Sequence, residues 1–129
     1  MRPQTAAIRP EDSGFTVISI REELNFDDVF LKLHAMLLSK KGKVWWDLNR
    51  VTRTDFTATS VYLLSNLVKD YHDSWPKEMV VIVADTDLSH FVVETSLSLL
   101  RLDGFQETVQ LFSSRKAALR WLGLANLLN

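Results

Sequence analysis

The chain is 129 residues long, 47% hydrophobic and 24% charged, with 15 basic and 16 acidic residues giving a formal net charge of −1. That length suits one domain with a core of its own, and the balanced charge supplies no bulk attraction to nucleic acid or to an anionic membrane surface. There is no cysteine, which excludes disulfides, thiol catalysis, iron–sulfur clusters and Cys-based zinc sites.

Residues 1–14 place Pro3, Pro10 and Gly14 among polar residues and read as an N-terminal extension with room for one short edge strand at 6–9. They lack the apolar segment of a signal peptide. The longest apolar run, 79–84, is too short to cross a bilayer, so a cytoplasmic protein without membrane insertion is expected. The first strand is expected at 15–21, from Phe15, Val17, Ile18 and Ile20. Asn25 then offers an N-cap, with Asp27 and Asp28 in the first turn of a helix. Its apolar stripe is Phe26, Val29, Phe30, Leu33, Met36 and Leu37, and Lys40, Lys41 and Gly42 read as its close.

A second strand is expected at 43–48, with Val44, Trp46 and Leu48 on one face and Trp45 on the other, the pattern of a central strand covered on both sides. A polar connection at 49–55 leads to a helix over 57–73, with the stripe Val61, Leu64, Leu67, Val68 and Tyr71. Residues 79–84 read as a buried strand. Asp87 or Ser89 caps a helix reaching Leu102, whose inner face is read as Phe91, Val92, Leu99 and Leu102. Asp103 and Gly104 end it. A last strand at 109–112 and a helix over 115–122, capped by Ser113 or Ser114, complete the chain, with 124–129 as a tail. Strands alternating with helices imply an α/β fold: a mostly parallel or mixed sheet of four to five strands with about four helices.

Chemistry-bearing motifs are sparse. His34, His72 and His90 fall on separate helices and form no ligand pair. The four glycines stand singly at element ends, so no phosphate-binding loop is built, and there is no Gly-x-Ser-x-Gly elbow. No metal site and no cofactor are expected. An enzyme would require Asp55, Asp85, Asp87 and His90 to converge, and the sequence supplies no nucleophile–base pair among them. The segment that stands out is 47–60, which joins a strand's carboxyl end to a helix start. Ligands favour that end of α/β sheets, and a helix start presents unpaired N–H groups and partial positive charge. Thr54, Thr57, Thr59 and Ser60 place four hydroxyls there. A phosphate on one of them adds about −1.5 to −2 charges and three strong acceptors; the plainer role for Asp55 or Thr57 is to cap the helix.

Trp46-Asp47-Leu48-Asn49-Arg50-Val51 followed by Asp55-Phe56-Thr57-Ala58, in this order of elements, resembles the STAS family, shared by anti-sigma-factor antagonists and sulfate-transporter tails. The strand at 79–84, the helix end at 99–105 and the strand at 109–112 fit the same pattern. Residues 117–123, Ala-Ala-Leu-Arg-Trp-Leu-Gly, are similar to the ending of a STAS-like branch of bacterial proteins. The likeness spans residues 15–123. It implies a non-enzymatic, regulatory protein–protein interaction module. An anti-sigma-type kinase would be the partner, with Thr57 as the phosphorylated hydroxyl, Asp55 as the matching acid, and Thr59 and Ser60 beside them. Phe56 stands where the family pattern has a Ser, and Ala58 where it has Gly.

The fold also resembles the lipid carriers of the CRAL-TRIO group. The alternative function is therefore binding of a small apolar or anionic ligand at the loops of Phe56, Asp85, Asp87 and Ser89. Phe26, Phe30, Trp46 and Phe91 read as core; Phe56 and Trp75, in loops, are the aromatics left for a ligand. The apolar residues of the last helix and tail, Trp121, Leu122, Leu124, Leu127 and Leu128, also offer a homodimer contact.

Overall fold

The computed structural model describes residues 9–102 and 108–128, with the backbone alone for 101, 102 and 124–128. A 3₁₀ turn, Pro10–Ser13, precedes β1 (Thr16–Leu24), α1 (Phe26–Ser39), β2 (Lys43–Thr54) and α2 (Ala58–Asp70). A second 3₁₀ turn (His72–Ser74), β3 (Met79–Ala84), α3 (Asp87–Leu102), β4 (Val109–Phe112) and α4 (Arg115–Leu128) follow. The edge strand expected at 6–9 falls, all but its last residue, outside the described residues, as do Asp103 and Gly104.

The described strands form one sheet in the order β1-β2-β3-β4, every pair parallel. A strand order without reversal has a consequence. Right-handed crossovers between successive neighbours all pass over the same face, so α1, α2 and α3 share one side. The packing agrees: Val29, Leu33 and Leu37 of α1, Leu64 and Val68 of α2 and Val92 of α3 join Ile20, Val44, Trp46, Leu48 and Val80 in one core cluster. α4 covers the other face, where Ala118 and Leu122 pack with Phe15, Trp45, Val81 and Val83. Adjacent residues Trp46 and Trp45 thus serve opposite cores, as period-2 alternation in a doubly covered strand requires.

Four boundaries differ from the sequence reading, each for a local reason. β2 continues through 49–54, read above as a loop, because β1 is also longer and pairs with it there. The left-handed position ending α1 is held by Lys40 (φ 54°, ψ 37°). Gly42 instead accepts the N–H groups of Glu78 and Met79 through its carbonyl. α2 stops at Asp70, and the chain beyond it tightens into a 3₁₀ turn. α4 extends to Leu128 through Gly123. The side chains assigned a dimer contact, Leu124, Leu127 and Leu128, lie outside the described ones. On α3, Phe91 is 68% exposed while Leu97 is buried, so Phe91 does not belong to the inner face or the core. Among the described residues no helix is long and apolar enough to cross a membrane.

Candidate functional site

Residues 49–60 are built on an irregular pair of strands. Glu22 (φ 67°) and Arg50 (φ 56°) both adopt left-handed backbone, and the β1–β2 register jumps there, from Arg21 opposite Asn49 to Glu23 opposite Arg53. β3 pairs with β2 only as far as Leu48 opposite Ala84. The ribbon formed by the ends of β1 and β2 therefore projects past β3. It is tied down by the start of α3: the Arg50 N–H donates to Asp85 Oδ1 (2.9 Å), and Thr86 Oγ1–H donates to the Val51 carbonyl (2.6 Å). Non-glycine residues at positive φ cost on the order of 1 kcal/mol each and persist where such contacts hold them.

The turn after the ribbon is fixed residue by residue. Thr54 Oγ1–H donates to the Leu24 carbonyl (2.8 Å), and the Phe56 N–H donates to Thr54 Oγ1 (3.1 Å). Asp55 faces α1: its carboxylate accepts the Phe26 N–H (2.7 Å) and the Asn25 Nδ2–H (3.1 Å). It thus supplements Asn25, whose own Oδ1 caps α1 through the Asp28 N–H. Phe56 turns onto the main core and meets Phe26 edge-on, ring centroids 5.9 Å apart.

Thr57 is the N-cap of α2. Its Oγ1 accepts the Ser60 N–H (3.2 Å), and its own N–H donates to Ser60 Oγ (3.0 Å), a reciprocal capping box that satisfies two end groups together. Of the grouped hydroxyls, Thr57 and Thr59 are exposed, whereas Ser60 is buried. A kinase could reach the first two and not the third. The outer face of α2 continues from Thr59 to Tyr62 and Leu63, both large and exposed.

The end of β3 holds the other sequence-derived candidates. A polar depression of about 360 Å³ is lined by Asp85, Thr86, Asp87, His90, Glu94 and Ser113, with Phe91 at its side. Asp85, Asp87 and His90 meet there and Asp55 does not, since it is held at α1. Ser89, at 0% exposure, lies beneath. Its hydroxyl is engaged with Thr86 (2.9 Å), and Thr86 rather than Asp87 or Ser89 is the cap of α3, accepting the Ser89 N–H. Three acids in this depression make it unfavourable to an anionic ligand. The histidines remain apart: His34 Nε2 bonds Tyr71 Oη (3.1 Å), His72 pairs with Asp73 and His90 with Glu94. Among the described residues no cluster of three His, Asp or Glu side chains is placed to hold a metal ion.

Sequence reasoning allowed an apolar ligand site at the strand-end loops, with Phe56 and Trp75 as its aromatics, but did not place one beneath the helices. Between the sheet and α1, α2 and α3 lies an apolar cavity of about 110 Å³, walled by core residues including Leu24, Val61, Leu64, Val92 and Leu97, with Phe56 and Trp75 half-buried at it. Apart from Phe56 and Trp75, the apolar wall residues read as ordinary core, and the two irregular letters are Ser65, 6% exposed, and Ser96. Comparison of the chain with protein-family models, with curated proteins and with solved structures finds no match to any of them.

Proposed function

We propose that the chain is a non-enzymatic, cytoplasmic regulatory module of the STAS type. It docks a protein partner on the start and outer face of α2 and is switched by phosphorylation of Thr57. The observation that carries this reading is the makeup of that face: Thr57 and Thr59 are exposed, and Tyr62 (60%) and Leu63 (43%) stand open beside them on the same helix. An exposed aromatic–aliphatic pair next to modifiable hydroxyls suits a macromolecular surface, where aromatic anchors dominate binding. A phosphate at Thr57 would sit at a helix N-terminus, where negative charge is tolerated. It would bring its charge to within two residues of Asp55 and alter what can dock.

The test follows from the capping box. Thr57→Ala would remove the cap along with the hydroxyl and confound stability with docking. Thr57→Asn and Thr57→Asp both keep a capping oxygen and differ from each other in charge. Affinity capture from native lysate should recover a partner with wild type and the Asn variant and lose it with the Asp variant. Mass mapping should place a phosphate on Thr57. Identical recoveries by all three proteins, with no phosphate at Thr57, would overturn the proposal.

A further inference from the structure

We infer that the cavity beneath α1, α2 and α3 is a binding site for a small uncharged ring compound bearing one hydroxyl, of benzene-to-phenol size. The inference is independent of partner docking on the outer face of α2. Its first support is volume. About 110 Å³ approaches the roughly 150 Å³ apolar cavity that stays dry and takes up benzene or xenon. Its second is the wall. Apart from Ser65 and Ser96, every lining residue is aliphatic or aromatic, so a charged or strongly polar ligand would be stripped of water without compensation.

The third support is Ser65. The Ser96 hydroxyl is satisfied within its own helix, donating to the Val92 carbonyl (2.9 Å). Ser65, only 6% exposed, lines the cavity from α2, and its hydroxyl is hydrogen-bonded to no other described residue. That hydroxyl keeps accessible surface and is open to a partner. A ligand hydroxyl would complete Ser65 while its ring fills the apolar remainder. Phe56, beyond the carboxyl end of β2, and Trp75, before the start of β3, are half-buried and also line the cavity, and a ring prefers offset or edge-on contact with such aromatics.

The probes are benzene and phenol, titrated into the full chain by calorimetry and by NMR of the wall methyl groups. Wild type should bind both, with methyl shifts on Leu24, Val61 and Leu97. Ser65→Ala should leave benzene binding unchanged and weaken phenol about three- to ten-fold, the worth of one neutral hydrogen bond. Ser65→Leu, which places three more carbons in the void, should abolish both while keeping the wild-type circular dichroism. Failure of wild type to bind either probe overturns the inference. So does an equal response of benzene and phenol to Ser65→Ala, which would mark the void as a plain packing gap. Binding that survives Ser65→Leu overturns it as well, because the probes would then occupy some other place.

Discussion

Replacing Asp55 tests whether that acid is a structural cap or a reserve of charge for a partner. Its carboxylate accepts two hydrogen bonds at the start of α1, from the Phe26 N–H (2.7 Å) and from Asn25 Nδ2 (3.1 Å). The first four N–H groups of a helix have no partner within it, and losing a capping acceptor costs about 0.5–2 kcal/mol. The bond to Phe26 is charge-assisted, which argues for the upper half of that range, but Asp55 is exposed and water replaces part of what is lost. Asp55→Ala should therefore cost about 1–1.5 kcal/mol in urea titration at unchanged m-value. For a domain of this size that lowers Tm by about 3–8 °C. Asp55→Asn keeps an acceptor oxygen and loses only the charge–dipole part, about 0.3–1 kcal/mol, and its deficit should shrink in high salt. An Ala variant within about 0.3 kcal/mol of wild type would refute the capping role and return Asp55 to the docking surface.

Two further substitutions probe the frame around the site. Lys40, exposed at positive φ after α1, should be improved by Lys40→Gly. The left-handed penalty of about 1–2 kcal/mol outweighs the chain entropy that Gly brings to the unfolded state, a net gain of about 0.5–1 kcal/mol by urea titration; any loss would refute it. Trp45 is fully buried against Phe15 with its Nε1–H unpaired among the described residues. An unpaired buried donor costs about 1–3 kcal/mol, and Trp45→Phe exchanges that cost for a smaller ring's void. It should therefore stay within about 1 kcal/mol of wild type, while Trp45→Ala loses about 3–5 kcal/mol. A loss above about 2 kcal/mol for the Phe variant would show that the N–H has a partner.

How much of this was legible in the sequence depended on the range of the interaction involved. Periodicity placed all four major helices and the four described strands, because burial on one face leaves a direct trace in residue spacing. The caps Asn25, Thr57 and Ser114 were readable, since capping is local to three residues. The continuation of β2 through Arg50 was not. Residues 49–54 look like a polar loop, and only pairing with the end of β1 makes them strand. The partners of Asp55 were not legible for the same reason: they lie 29 and 30 residues earlier in the chain. Phe91 carries the composition of a core residue, yet the turn of α3 leaves it in solvent and puts Leu97 inside. Phe56 and Trp75 were set aside for a ligand, but the place of the cavity was not legible, because it is set by how three helices settle on a sheet and by no single residue.

Topology also decides which end of the molecule suits which kind of ligand. Crevices for small polar molecules open where successive connections leave the sheet on opposite faces. Here α1, α2 and α3 all lie on one face, so the start of α2 stands within a helical layer and not at a topological switch point. Thr57, Thr59, Tyr62 and Leu63 then form an open surface, the shape a protein partner can cover and a small polar substrate cannot be enclosed by. The connections diverge once among the described residues, between α3 after β3 and α4 after β4, and the polar depression of Asp85, Asp87, His90 and Glu94 lies there. In that depression Asp85 already accepts the Arg50 N–H, and the Thr86 hydroxyl already donates to the Val51 carbonyl. The strand-end cleft is therefore partly consumed in holding the β1–β2 ribbon. The outer face of α2 is the surface proposed for docking, and its inner face, through Val61 and Ser65, lines the cavity.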